Sequence, residues 1–174
     1  MTLIDLLVQK KSAIVDRWRD LIIQTYPPHT SGFLKRQKDQ FCNPVGHAIS
    51  NETEKLYQIL LDGFSTDIIS EAADQIIKIR AVQDFSASDA VAFVFLLKKA
   101  IRVQLENELQ HNGIAIELLS FESRIDALAL HIFDAYMRCR EKIYEIKVSE
   151  IKNRTSNIQT RHGVSKIKFP INEL

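Results

Sequence analysis

From Ala115 to Asn153 the chain runs for about forty residues without a glycine or a proline. Those two residues most disfavour a helix interior, so the stretch predicts a single helix. At ~1.5 Å per residue it would be ~55–60 Å long, whereas a compact domain of about 150 residues is only ~40 Å across. The helix is therefore expected to outrun the body that the preceding residues can build. Leu118, Ile125, Ala129, Ile132, Tyr136, Cys139, Ile143 and Ile146 recur along it at three-four spacing. That is a coiled-coil type of seam on an otherwise charged rod. It predicts a homodimer formed through Ala115 to Ile146, assisted by Leu3 to Leu21.

The rest of the chain is compatible with one helical domain. With 174 residues it can bury a sizeable core, and its few glycines (5) and prolines (4) favour helices over a turn-rich β architecture. The net charge of +1 points to neither nucleic acid nor membrane, although five basic residues against Glu173 make the segment from Lys152 onwards locally basic. Residues 1–153 are expected to form the domain and 154–174 a flexible basic tail. Cys42 and Cys139 have no metal spacing, and a free thiol on an apolar seam is usually a small core hydrophobe, which suits a reducing cytoplasm. The amino terminus has no signal-peptide pattern. The longest apolar run, Ala90 to Leu97, is far short of the ~20 residues that span a bilayer.

In order, Thr2 and Asp5 have capping-box spacing and open an amphipathic helix through Leu3, Leu7, Ile14, Trp18 and Leu21 to about Gln24, ended by Pro27-Pro28. A short helix through Phe33, Leu34 and Phe41 follows. Asn43-Pro44 is an N-cap followed by a proline in the first turn, and it starts a helix that Asp62-Gly63 stops. Thr66 to Ile79 reads as another helix. Ser86 and Asp89 form a second capping box before the apolar run, which continues amphipathically from Lys98 to Leu109, so a helix is preferred to a buried strand. Asn112-Gly113 reads as its C-cap.

Two stretches go beyond a generic bundle. Ile79-Arg80-Ala81-Val82-Gln83-Asp84-Phe85-Ser86, with the apolar run through Lys99, resembles the RsbRD amino-terminal domain, the sensory module of the RsbT co-antagonist family. Asn43-Pro44-Val45-Gly46, Ser123 to Leu128, Phe133-Asp134 and Cys139 to Tyr144 are similar to further parts of it, so the resemblance covers roughly residues 3–153. It implies an all-α, globin-like bundle without haem, dimeric, with a last helix directed towards an output domain. In the family that output is a STAS domain or a histidine-kinase core. Only about twenty residues follow Asn153 here, so the output is expected on another protein.

Constellations that could carry chemistry are sparse. Glu108 and His111 give one Glu-x-x-His, but a di-iron bundle needs two such pairs and further inward glutamates. His131 is the only histidine deep in a helix, and Arg124 and Arg138 share its face, which argues against a haem ligand. Cys42 and His47 supply two ligands where zinc normally takes four. Glu122 and Asp126 read as a solvated acidic face, and Phe93 and Phe95 as core. Arg80, Gln83, Asp84 and Phe93, at a corner between apolar helices, form the candidate effector pocket. The expectation is a non-enzymatic sensory and regulatory module of the cytoplasm, with no cofactor and no metal. It would relay a signal to a protein partner (a kinase, a STAS-type protein or a component of a respiratory complex). The alternative is a scaffold or accessory subunit that docks on such a complex without sensing a ligand.

Overall fold

A computed structural model describes residues 1–161 except 37, 38, 40, 64–68, 70, 84 and 111. Side chains are described through residue 156, except at those positions and at 112. Every regular element among the described residues is helical: α1 (Leu3–Gln9), α2 (Lys11–Ile23), α3 (Pro28–Arg36), α4 (Pro44–Asp62), α5 (Asp74–Val82), α6 (Ala87–Gln104), a 3₁₀ turn (Glu108–Gln110) and α7 (Asn112–Arg161). The chain divides into two units, Met1–Cys139 and a second beginning at Arg140.

Local signals set most of the starts. The Thr2 hydroxyl accepts from Asp5 N at 3.3 Å while the Asp5 carboxylate accepts from Thr2 N at 2.9 Å, so two otherwise orphaned amides are satisfied. Asn43 caps α4 by accepting from Gly46 N at 2.8 Å, and its amide donates to Leu34 O at 3.0 Å, tying α3 to α4. Gly46 permits this cap, because a Cβ there would meet Asn43 Nδ2 at 2.2 Å. Gly63 ends α4 with φ +90°, a conformation natural to glycine. Ser86 caps α6.

α2 packs chiefly against α6 and α4. Trp18 is the centre of that packing. It is fully buried, stacks on Phe93 with ring centroids 6.4 Å apart, and donates Nε1–H to Phe93 O at 2.7 Å. Tyr57, also fully buried, donates to Leu7 O at 3.0 Å. Glu52 reaches from α4 to the start of α5, where its two oxygens accept from Gln75 N and Ile76 N, each at 2.8 Å. A carboxylate at a helix N-terminus is well placed for both the open amides and the dipole.

The structure departs from the sequence reading at several points. The first helix is broken at Lys10, whose ammonium reaches Gln104 O at 2.7 Å and Glu108 at 2.6 Å. α6 stops at Gln104, and Asn112-Gly113 opens α7 rather than closing its predecessor. Of the helix expected over 66–79, residues 66–68 and 70 lie outside the described set, and α5 starts only at Asp74. Phe41 and Phe95 are exposed. α7 continues past Asn153 to Arg161, so the first part of the expected tail is helical, and residues from 162 onwards lie outside the described set.

Candidate functional site

The corner between α5 and α6 contains the most unusual group in the molecule. Arg80, in the last turn of α5, is 1% exposed. Its Nη1 donates to Asp89 O at 2.8 Å, while Nε and Nη2 have no hydrogen-bond partner among the described residues. Three aromatic rings surround the guanidinium carbon: Phe85 at 4.9 Å, Phe93 at 5.0 Å and Tyr26 at 5.7 Å. Arginine presents five donors, so the cage answers its charge by cation–π contact and leaves most of its hydrogen-bonding capacity unused. Burial pushes the guanidinium below its ordinary value, against the opposing influence of Tyr26 and Asp89. It nevertheless stays charged at any physiological pH.

The cage is joined to α7. Tyr136, 3% exposed, donates its hydroxyl to the carbonyl of Phe85, and Phe85 packs edge-on against Tyr26 with centroids 6.0 Å apart. Arg80, Phe85 and Tyr136 thus form a contiguous chain from the α5–α6 corner to the long helix.

Of the four residues proposed as an effector pocket, the structure brings Arg80 and Phe93 together. Gln83 is exposed and Asp84 lies outside the described residues. Four surface grooves of about 410 to 680 Å³ are formed elsewhere, and none has Arg80 or Phe93 in its lining. The corner is a packed cage, not an open cleft. Tyr26 and Phe85, which sequence reasoning did not place there, complete it. Only Phe85, adjoining the capping serine, stood close enough in sequence to be suspected.

The proposed dimer seam needs correction. Ile125, Ala129, Ile132 and Tyr136 are 0–3% exposed within a single chain, so they form its own core and cannot face a partner. Cys139 and Ile143 are half-buried and Ile146 is 57% exposed. The acidic pair is corrected too. Glu122 is buried and receives both Nε–H and Nη2–H of Arg102 at 2.7 Å, and Asp126 pairs with Lys98 at 2.6 Å. These are ties between α6 and α7. Glu108 pairs with Lys10, and His111 lies outside the described residues. Cys42 is exposed and His131 half-buried. Among the described residues no group of three His, Cys, Asp or Glu could hold a metal ion. No helix among them is long and apolar enough to cross a membrane.

The second unit, considered alone, is a run of helix in which no residue from 140 to 156 is buried. Tyr144, Ile146, Val148 and Ile151 are 48–64% exposed, and Arg140 lies over the Tyr144 ring at 5.1 Å.

Comparison with known proteins gives two results. The pattern of the RsbT co-antagonist protein RsbRD N-terminal domain matches residues 12–150. An uncharacterized protein of Archaeoglobus fulgidus is 27% identical over 145 residues, spanning 80% of this chain and 83% of that one. No solved structure matches significantly.

Proposed function

The chain belongs to the RsbT co-antagonist RsbRD N-terminal domain family, and from that premise we propose that it is a non-enzymatic sensory and regulatory module of the cytoplasm. It dimerises and acts on a protein partner, a kinase, a STAS-type protein or a respiratory-complex component, through α7. The observation that supports this reading is the chain of contacts from the buried Arg80 cage through Phe85 to Tyr136. A change in how the cage packs has a physical route to the long helix. Beyond Cys139 that helix offers exposed apolar side chains to a partner. A signal acts here only by binding one packing of the cage better than the other, since equal affinity shifts nothing.

The test is native mass spectrometry of the chain purified from its own host, together with a pull-down from the same extract. A stoichiometric small molecule, lost in Arg80→Met, is the result expected of a sensor. A stoichiometric protein partner with no small molecule would support the accessory-subunit alternative, which rests on the same exposed helix. A chain that captures neither a ligand nor a partner would overturn both.

A further inference from the structure

We infer that Arg80 is the recognition group for a small organic monocarboxylate, gripped by its Nε–H and Nη2–H as a pair among the aromatic rings of the corner. The inference rests on the sensory reading above and names the chemical class of what is sensed. Of the guanidinium nitrogens only Nη1 has a hydrogen bond, to Asp89 O at 2.8 Å, while Nε and Nη2 are buried and have no partner among the described residues. Those two nitrogens form one edge of the planar fork and direct parallel N–H groups that match the two oxygens of a carboxylate. The same chain shows that edge in use at Arg102, whose Nε and Nη2 each reach a Glu122 oxygen at 2.7 Å.

No carboxylate among the described residues answers Arg80. The Asp89 side chain is exposed and accepts from the Ser86 hydroxyl at 2.6 Å, so only its backbone carbonyl meets the guanidinium. Glu52 commits both oxygens to Gln75 N and Ile76 N, and Glu122 is taken by Arg102. Cation–π contact with Phe85 and Phe93 meets the charge but offers no oxygen to the two donors.

The surroundings of the fork narrow the ligand. Arg80 is the only buried cation among the described residues, so one negative charge balances it. A dianion, such as a dicarboxylate or a phosphate, would carry an uncompensated charge into the core. The rings of Tyr26, Phe85 and Phe93 suit a short hydrocarbon body better than a hydrated inorganic ion. Burial also sets the way in. Tyr26 and Phe93 are 8% and 1% exposed, whereas Phe85 is half-buried, so Phe85 is the wall that yields. Its carbonyl accepts from Tyr136, and a ligand that displaces it acts on α7 through that bond. Such a ligand prefers one packing of the corner, as a shift in population requires.

Trp18 reports on the cage, because it is the single tryptophan and stacks on Phe93. The test titrates the full chain with the sodium salts of acetate, butyrate and hexanoate at an ionic strength held constant with sodium chloride. Trp18 emission and the thermal midpoint are followed. At least one of the three should give a saturable change in emission and a raised midpoint, and succinate should give neither. Arg80→Lys keeps the charge but loses the fork, and should weaken that acid by roughly 10-fold or more. Should the variant fold poorly, the parent decides. In a chain labelled with ¹⁵N-arginine, the Arg80 Nε–H resonance should move downfield with the acid, while that of Arg102, already held by Glu122, stays in place. No response across the series, the same response to sodium chloride alone, or an Arg80→Lys chain that binds like the parent overturns the inference. A ligand without a carboxylate, or a protein partner, found in the native extract would overturn the assigned class while still supporting the regulatory reading.

Discussion

Two stretches of one helix have opposite fates. Between Leu118 and Tyr136, α7 buries Leu118, Phe121, Ile125, Leu128, Ala129, Ile132 and Tyr136 to 6% exposure or less. From Arg140 to residue 156 it buries nothing, yet Ile143, Ile146 and Ile151 are as apolar as anything before them. A three-four repeat of apolar residues states that a helix is to be covered. It does not state by what. In the first stretch the cover is the chain's own bundle, and in the second no described residue provides it. Isolated helices gain little stability from propensity alone, so the second stretch is the part most dependent on something external.

The sharpest way to break this contrast is to place the same charge in both stretches. Ile132→Glu introduces an unpaired carboxylate at a site 1% exposed and should cost about 3–5 kcal/mol in urea unfolding followed by CD. Ile143→Glu should alter the stability of the folded chain by no more than about 0.5 kcal/mol, as exposed or half-exposed sites usually do. Comparable losses at the two sites would show that both stretches are packed alike.

A second comparison concerns what fixes the first stretch in place. Arg102→Met leaves the buried Glu122 carboxylate without its bidentate partner. Arg102 itself is more than half exposed to solvent, so the loss should be only about 1–2 kcal/mol, below that for a fully buried pair. The double variant Arg102→Met, Glu122→Gln should recover most of it, because the stranded charge is then gone. A double variant no better than the single one would mean that Glu122 is not anchored by Arg102. Smaller again is Tyr136→Phe, which removes the hydrogen bond to Phe85 O and should cost about 1 kcal/mol. Its more telling readout is amide exchange in the Phe85–Ala90 corner, which should rise if Tyr136 steadies the Arg80 cage.

Much of the fold was legible because its signals are local. Thr2 with Asp5, Asn43-Pro44 and Ser86 with Asp89 mark helix starts through side chains that reach amides two or three residues away. The absence of helix breakers after Ala115 foretold the long helix. What escaped is tertiary. Nothing at Lys10 marks a break, since its cause is a carbonyl and a carboxylate some ninety residues further on. Glu52 caps a helix that begins more than twenty residues later. Of the seam, Ile125, Ala129, Ile132 and Tyr136 are buried by the chain's own bundle while Ile146 is exposed, because periodicity reports an apolar face without naming the surface that buries it or how far that surface reaches. At the candidate site, Arg80 and Phe93 were legible as a corner. The ring of Tyr26 reaches the cage from beyond the end of α2, a proximity that no local pattern encodes.

The smallest expected effect is one of pH, and it belongs to the first unit, because no titratable group from Arg140 to residue 156 is buried. Burial holds the Glu52 carboxyl above the usual carboxylate range, outweighing the two backbone N–H donors of Gln75 and Ile76. The folded chain therefore keeps this proton more readily than the unfolded chain. The stability linked to it is fully present below the ordinary value of about 4.5 and is lost as pH rises through the higher folded value. The carboxylates of Asp5 and Asp39 are held low by their hydrogen bonds and give the opposite slope, but they are common to parent and variant and cancel in the difference. Glu52→Gln should lower stability at every pH, because its amide can accept only one of the two backbone N–H groups. The deficit should narrow from pH 4.5 towards neutrality, as the parent loses its proton-linked share and the glutamine does not. The near-UV CD of the single tryptophan, Trp18, follows this in the core without a contribution from the exposed stretch. A deficit that widened instead would mean that Glu52 is stabilised as the anion, with helix-capping outweighing burial.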